Sequence, residues 1–307
     1  MTRADSARTS LLSRTQALLR ARGLRPRRAR GQNFLVDSEV RDRIVSVAGL
    51  GPGSLAVEVG PGTGVLTEAM LRVGASVLAV EFDRDLAQAL SERLGANLQF
   101  TLRQADALEF DFAQALRDDP RRGRARVVAN IPYYITTPLI LRLVNRRDLF
   151  EAMFLTVQRE VAERLTAAPG GKTYGSLTLA CQYWAEVRSV FSVPRTAFHP
   201  VPEVESALVR FDLLDAPRVQ AADPRRLFAV IRAAFAVRRK TLRNALCRAG
   251  WAAQAVDAAL ARVGVDPMRR GETLALEEFA RLSDALPGRI PHDGARDPNV
   301  ESGAGGV

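Results

Sequence analysis

Two runs in this 307-residue chain have residue types and spacing suited to chemistry: Val57-Glu-Val-Gly-Pro-Gly-Thr-Gly-Val-Leu-Thr67 and Asn130-Ile-Pro-Tyr133. In the first, Gly60, Gly62 and Gly64 alternate between an apolar run and a helix-forming one. Glycine leaves no side chain, so a bulky ligand can lie directly against such a turn. At the carboxyl end of a first strand, that turn marks the ligand crevice of an open α/β sheet. The dinucleotide fingerprint G-x-G-x-x-G is approached but not met, because the third glycine comes one residue early and Val65 stands in its place. Glu81 closes the next strand and offers a carboxylate for a ribose diol, which would serve either kind of cofactor. Asp106, within Ala105-Asp-Ala107, follows a third strand and is placed for an adenine amino group. Strand ends at Gly60, Glu81, Asp106 and Asn130 then converge on one crevice. Such a set suits S-adenosylmethionine, which needs a ribose clamp and an adenine clamp but no phosphate site at a helix N-terminus.

Asn130-Ile-Pro-Tyr133 supplies the other half of the reaction. The exocyclic nitrogen of adenine is a poor nucleophile because its lone pair is delocalised into the ring. As it attacks a sulfonium methyl, positive charge develops on it, and acceptors aimed at that nitrogen stabilise the change. Asn130 offers a side-chain carbonyl and Ile131 a backbone carbonyl. Pro132 stiffens the turn, and Tyr133 presents a ring on which an extruded base can stack. The tetrapeptide holds no Asp, Glu or His. The proton can leave after transfer, and proximity and orientation supply at most about 7–11 kcal/mol of the acceleration. Phe198-His-Pro-Val-Pro202 is a second aromatic loop, in which Phe198 is expected on the other face of the base. A hydrophobic plug between strands is the alternative for Phe198, and His199 reads as an RNA or surface contact rather than a base.

These residues need elements to position them. The pattern predicts a helix from Ser38, as cap, to about Ala48, and strands at Leu55–Val59, Ser76–Val80, Leu98–Leu102, Val127–Ala129 and Met153–Val157. Helices are expected at Val65–Val73, from Asp83 to Leu94, from Thr136 or Thr137, and at Arg159–Thr166. Alternation of this kind implies a parallel sheet with helices on its faces. Val- and Phe-rich runs at Glu186–Val193 and Glu205–Leu213 suggest an antiparallel addition. Beyond Asp215-Ala-Pro217 the pattern is helical throughout: Pro224–Val237, Arg239–Arg248, Ala252–Val263 and Leu276–Leu286. The expected organisation is a basic arm over 1–30, a Rossmann-like catalytic domain over 31–214, a helical domain over 215–287 and a disordered tail over 288–307.

Hydrophobic residues make up 47% of the chain and charged ones 25%, ordinary for a globular protein. Net charge is +10 and the sequence pI about 10.7. An excess of base this large attracts polyanions, because phosphate contacts release counterions. Lys172 and Lys240 are the only lysines, a bias that GC-rich coding would explain, although it would not explain the surplus of base over acid. Arg3, Arg8, Arg14, Arg20, Arg22, Arg25, Arg27, Arg28 and Arg30 face one acid, Asp5, in the first thirty residues. With Leu11, Leu12, Leu18 and Leu19 they form an amphipathic stretch expected to order on RNA or to stay solvated. No apolar run long enough to span a membrane follows, and no secretory signal, which points to the cytoplasm; an organellar leader is the alternative. Cys181 and Cys247, with His199 and His292, do not make a zinc site of usual spacing.

Taken together, the motifs resemble those of the ribosomal RNA adenine dimethyltransferase family. Gly31-Gln-Asn-Phe-Leu35 is similar to its opening motif, Val57–Thr67 to its glycine motif and Asn130–Pro138 to its catalytic loop. Gln158–Leu165, Phe198–Val209 and Arg238-Arg-Lys-Thr-Leu-Arg-Asn244 continue the likeness, which runs from about Gly31 to Leu286. The resemblance implies a class I methyltransferase fold with a small helical domain. It implies cofactor contacts from Asn33, Leu35, Gly60, Glu81, Asp106 and Asn130, with Tyr133 and Phe198 flanking the target adenine. It also implies a metal-free monomer that dimethylates two adjacent adenines near the 3′ end of small-subunit rRNA during subunit assembly. Arg238, Arg239, Lys240 and Arg243, read as the start of a helix, are expected to grip rRNA phosphates. Arg30 departs from the family's usual small apolar residue before Gly31. Two alternatives stay open: a sister group that methylates large-subunit rRNA, and a non-catalytic RNA-binding assembly factor.

Overall fold

The computed structural model describes residues 10–26, 31–117 and 123–287. Arg27, Arg28, Arg30, His292 and the expected tail lie outside the described residues, as do residues 1–9. In chain order the elements are α1 (Leu11–Ala21), β1 (Phe34–Leu35), α2 (Ser38–Ala48), β2 (Leu55–Val59), α3 (Val65–Arg72) and β3 (Ser76–Glu81). Next come α4 (Arg84–Leu94), β4 (Phe100–Gln104), α5 (Phe112–Arg117), β5 (Ala125–Asn130), α6 (Thr136–Val144), β6 (Phe150–Gln158) and α7 (Arg159–Leu165). The remainder is α8 (Ser176–Gln182), β7 (Ala185–Val193), β8 (Phe198–His199), β9 (Ser206–Leu213), α9 (Pro224–Ala236), α10 (Leu242–Arg248), α11 (Ala253–Val263) and α12 (Leu276–Ala285).

A seven-stranded sheet runs in the order β4-β3-β2-β5-β6-β9-β7. Its first five strands are parallel, and β9 joins β6 antiparallel with Leu155 opposite Val209. The central strands are buried along their whole length because both faces are covered: every residue of β2 and β3 is buried. From β2 the chain winds outward through β3 to β4, then returns to the other side of β2 as β5. The strand order therefore reverses between β2 and β5, and a crevice opens beyond their carboxyl ends. Val59 and Asn130 end those strands, which brings the glycine turn and the Asn-Ile-Pro-Tyr loop to one place.

The chain forms two compact units. The described residues of the first fall within 1–139, 148–162 and 189–212, and its core is built from Leu35, Ile44, Met70, Val77, Phe154, Phe198 and their neighbours. The second takes 140–147 and 163–188 besides the described residues from 213 to 287, so the chain passes between units at several places rather than only near Asp215–Pro217. Its core gathers Tyr183, Leu227, Phe228, Leu246, Trp251 and Phe279. Edge-on aromatic contacts join Tyr183 to Phe228 at 5.2 Å and Tyr174 to Phe235 at 6.0 Å.

Several local expectations change for physical reasons. The cap of α2 is Asp37, whose Oδ1 accepts the Glu39 and Val40 N–H groups, so Ser38 is already helical. The third parallel strand begins at Phe100 rather than Leu98. Asn97 turns the chain by accepting the Gln99 N–H, which leaves Leu98 99% exposed. Residues 237–239 form a turn and Lys240 a bend, and α10 starts only after Thr241, whose hydroxyl accepts the Asn244 N–H. Within the N-terminal stretch, α1 buries Leu11, Thr15 and Leu19 in the first unit and leaves Arg14 and Arg20 on its exposed side. Among the described residues no helix is long and apolar enough to cross a membrane.

Gly64 ties the glycine turn to α4. Its φ is +79°, and a Cβ there would lie 2.5 Å from Leu90 Cδ2. Gly64→Ala is expected to lower the free energy of unfolding by about 1–3 kcal/mol or more, since the left-handed backbone and the clash add. Urea denaturation would measure the loss.

Candidate active site

Two adjoining hollows lie beyond the carboxyl ends of the parallel strands, sharing Gln32, Gly60, Glu81 and Pro132. The first is walled by the opening motif, by Gly60, Pro61, Gly62 and Thr63, and by Asn130–Tyr133. The second is walled by Val80–Asp83, by Ala105–Ala107, and by Tyr134 and Ile135. Both lie within the first unit.

Glu81 stands where they meet. Its Oε2 accepts the Gly62 N–H at 3.0 Å and its Oε1 the Asp83 N–H at 2.8 Å. The carboxylate is thereby fixed by backbone, and each oxygen keeps a lone pair for a hydroxyl donor. Burial pushes its pKa up, opposed by those N–H donors. Gly60 and Gly62 border the hollow without side chains. A Cβ on Gly62 would touch the Phe34 ring at 3.0 Å, and one on Gly60 would meet Pro132 Cδ at 3.5 Å. Asp106 anchors the loop after β4 by accepting the Leu108 N–H on Oδ1 at 2.8 Å, which leaves Oδ2 as an acceptor for an amine.

The Asn130–Tyr133 loop is held from the Gly31–Leu35 segment. Asn130 Nδ2 donates to the Asn33 carbonyl at 2.8 Å. A carbonyl can only accept, so the amide orientation is forced and Oδ1 remains as the outward acceptor. Asn33 Nδ2 in turn donates to the Gly31 carbonyl at 3.2 Å. Ile131 is buried, and its N–H donates to the Thr156 carbonyl at 3.3 Å. Pro132 starts the turn Tyr133–Ile135, and its carbonyl accepts from Ile135 N–H and Thr136 Oγ1. Tyr133 is half-buried, with its hydroxyl bonded to the buried Ser206 hydroxyl at 2.9 Å. Burial raises the phenol pKa, so the ring stays neutral.

The structure therefore brings Asn33, Leu35, Gly60, Gly62, Glu81, Asp106, Asn130, Ile131, Pro132 and Tyr133 around one pair of hollows. Two expected residues are elsewhere. Gly64 borders neither hollow and packs on Leu90 instead. Phe198 is 1% exposed and borders neither. Pairing of β8 with β1 sets it opposite Leu35, in the core cluster. Among the rRNA candidates, Arg243 is held in a two-point pair with Asp257 at 2.6 and 2.8 Å. Arg238 donates to the Lys172 carbonyl and lies 3.7 Å from Glu272, while Arg239 and Lys240 are exposed.

Some wall residues were not anticipated. Gln32 borders both hollows, and Phe82 and Tyr134 border the second while remaining half exposed. Glu58 is a buried acid in β2 that borders the first hollow and accepts from Thr67 Oγ1 at 2.5 Å. An acid inside an otherwise apolar strand was its signal. Among the described residues, no group of His, Cys, Asp and Glu side chains is arranged to hold a metal ion.

The profile of the family described as ribosomal RNA adenine dimethylase matches residues 23–287. Over 278 residues the chain is 45% identical to a Moorella thermoacetica protein named ribosomal RNA small subunit methyltransferase A, covering 89% of this chain and 96% of that one. A protein of the same name from Pelotomaculum thermopropionicum is 45% identical over 277 residues, covering 88% and 94%. Among solved structures, the chain is similar in fold to a Plasmodium falciparum dimethyladenosine transferase, with a TM-score of 0.69 and 23% identity over 81% of this chain and 95% of that one. It is also similar to the 23S rRNA methyltransferase ErmE, with a TM-score of 0.63 and 27% identity over 83% and 99%.

Desolvation pushes the Glu58 carboxyl up to about 8. An acid whose folded pKa is raised contributes stability that is complete below its unfolded pKa and lost as pH rises through the folded value. Between about pH 5 and about pH 8 the unfolded chain releases this proton and the folded one keeps it, so stability falls. Glu58→Gln removes the proton from that balance. Urea titrations of the ligand-free protein are expected to show the variant gaining on wild type across this window, with no such trend for Gln88→Glu on the surface.

Proposed function

The chain belongs to the ribosomal RNA adenine dimethylase family, and from that membership we propose that it dimethylates two adjacent adenines near the 3′ end of small-subunit rRNA, with S-adenosylmethionine as donor. The observation that carries this reading is the Asn130 amide. Its Nδ2 is committed to the Asn33 carbonyl, so its Oδ1 is the acceptor left at the strand end that the glycine turn and Glu81 share. The 45% identity to relatives named small subunit methyltransferases, against 27% to the large-subunit enzyme, favours the small-subunit substrate.

The residues present fit that donor. Both Glu81 oxygens retain lone pairs for a ribose diol, and Asp106 Oδ2 is an acceptor for an adenine amine. Glycines at 60 and 62 leave room for a ligand against the turn. Bound there, S-adenosylmethionine supplies an electrophilic sulfonium methyl.

The chain's own work is to present the nucleophile. Tyr133, braced through Ser206, offers a ring face to an extruded adenine and so fixes the plane of the base. Asn130 Oδ1 and the Ile131 carbonyl accept the two N–H bonds of the exocyclic amine, which orients its lone pair. As the N–C bond forms, the methyl's bond to sulfur would break with its electron pair left on a neutral thioether; positive charge grows on the nitrogen meanwhile, and the same two oxygens stabilise it. The amine then releases a proton to water, and the second methylation repeats the step with one N–H remaining. Neither step needs a strong base in the loop. Exposed Arg239 and Lys240 in the second unit are cations for rRNA phosphates, whereas Arg243 is already neutralised by Asp257.

The direct test is incubation with labelled S-adenosylmethionine and undermethylated small subunits, followed by primer-extension mapping. Stops at an adjacent adenine pair near the small-subunit 3′ end are expected, and stops only on large-subunit rRNA would overturn the substrate assignment. Tyr133→Ala is expected to lower kcat/KM roughly ten- to hundredfold, the loss of about 1–3 kcal/mol of stacking. Its cofactor affinity, read by calorimetry, should stay unchanged. Replacing Arg239 and Lys240 with Ala is expected to flatten the salt dependence of RNA binding by about 1–2 in log–log slope, more than Arg243→Ala does.

A further inference from the structure

Helix α1 ends two residues before the family match begins at residue 23, yet it packs against the wall of the cofactor hollow. We propose that α1 is a positioning element for the cofactor, acting through Leu19 on Phe34 and through Arg14 on the glycine turn. This rests on the reading of the first hollow as the S-adenosylmethionine site.

Two routes connect the helix to that wall. The apolar one is a small cluster of Leu19, Phe34 and Leu86, each under 9% exposed, with Leu24 packed against it. Phe34 and Leu86 both border the hollow, and Leu19 does not. Phe34 lies so close over Gly62 that a Cβ there would stand 3.0 Å from two ring carbons. Leu19 therefore backs a ring that presses on the very turn whose N–H holds Glu81. The segment after α1 folds back to reinforce this packing, with the Leu24 N–H donating to the Leu19 carbonyl at 2.8 Å.

The polar route runs over the outside of the same turn. Arg14 Nη2 meets Glu68 Oε2 on α3 at 2.9 Å, and the other Glu68 oxygen pairs with Arg93 on α4. Arg93 Nη1 donates to the Thr63 carbonyl at 3.0 Å, and Thr63 borders the hollow. Arg22 of the α1 cap pairs with Glu92, also on α4. Exposed ion pairs add little stability one by one. Here they join three helices to one backbone carbonyl of the glycine turn, so their consequence is the placement of that turn.

Loss of the Leu19 side chain removes one of the apolar neighbours that hold Phe34 over the turn, which frees the ring to move off it. The cofactor then binds only the fraction of molecules that retain the closed wall, and its apparent affinity falls by that fraction. The target base meets Asn130 and Tyr133 as before, so the rate at saturating cofactor is unaffected.

The test uses the full chain with Leu19→Ala, Arg14→Ala, Leu12→Ala and Leu19→Met, read by calorimetry with S-adenosylmethionine and by steady-state methylation of small subunits. Leu19→Ala is expected to raise the cofactor Kd and KM about tenfold, as when roughly a tenth of the molecules hold the competent wall. The kcat and the KM for RNA should stay within about twofold, and Leu19→Met should restore binding. Leu12, 38% exposed on the same helix, is the control whose loss should change nothing. Arg14→Ala removes a half-exposed side chain without opening the core, and a several-fold rise in cofactor Kd is expected even if Leu19→Ala fails to fold. Should Leu19→Ala and Arg14→Ala both bind cofactor as wild type does, the positioning role is refuted. A wild-type protein that binds no S-adenosylmethionine would instead overturn the functional reading itself.

Discussion

The bond from Asn130 Nδ2 to the Asn33 carbonyl joins two segments nearly a hundred residues apart and fixes which end of that amide is left at the end of β5. In energy it is an ordinary hydrogen bond, contributing about 0.5–1.5 kcal/mol net. Its importance is directional. An unpaired Asn amide could turn either end toward the hollow, presenting a donor or an acceptor there. By occupying the donor, the Asn33 carbonyl leaves an acceptor at the end of β5. The Gly31–Leu35 strap is held in turn by pairing of β1 with β8, and β8 leads into β9, which carries Ser206 beneath the Tyr133 hydroxyl. Orientation of the amide and bracing of the aromatic ring thus share one backbone scaffold.

The interior of the site is acidic while the chain as a whole carries +10. Glu58 and Glu81 are both buried near the glycine turn, and burial raises both their pKa values. Buried carboxyls are costly unless bonded, and here Thr67, Gly62 and Asp83 supply the donors. Glu58, raised to about 8, keeps its proton near neutral pH, so the carboxylate acceptors at the hollow are those of Glu81, whereas the chain's excess of base over acid suits a polyanion. Arg239 and Lys240 are exposed, while the acids sit at strand ends inside the sheet.

Phe198 shows how the same residue type can have two meanings. An aromatic between prolines reads as a stacking face, but the β1–β8 pairing turns it into the core behind Leu35. Gly64 is a comparable case: its lack of a side chain serves the approach of Leu90 on α4 rather than a ligand. In both, the partner that decides the role is distant in the chain. The family profile and the relatives at 45% identity confirm the kinship that the motifs implied.

What the residues determined by themselves were the features governed by local rules. Apolar runs between turn signals marked β2, β3, β5 and β6 within a few residues, and Asp83 marked the start of α4, because burial pattern and capping depend on near neighbours. Glu81, Asp106 and Asn130 stood out because polar residues at or just past the ends of apolar strands have few structural reasons to be there, and the structure sets all three around the two hollows. Tertiary structure alone decided which way the Asn130 amide faces, that Ser206 braces Tyr133, and that Arg243 is spent on Asp257. It also decided that α1 buries Leu19 on Phe34 instead of trailing in solvent. Each of these is a contact between segments far apart in the chain, and periodicity within one segment carries no record of the surface it will meet.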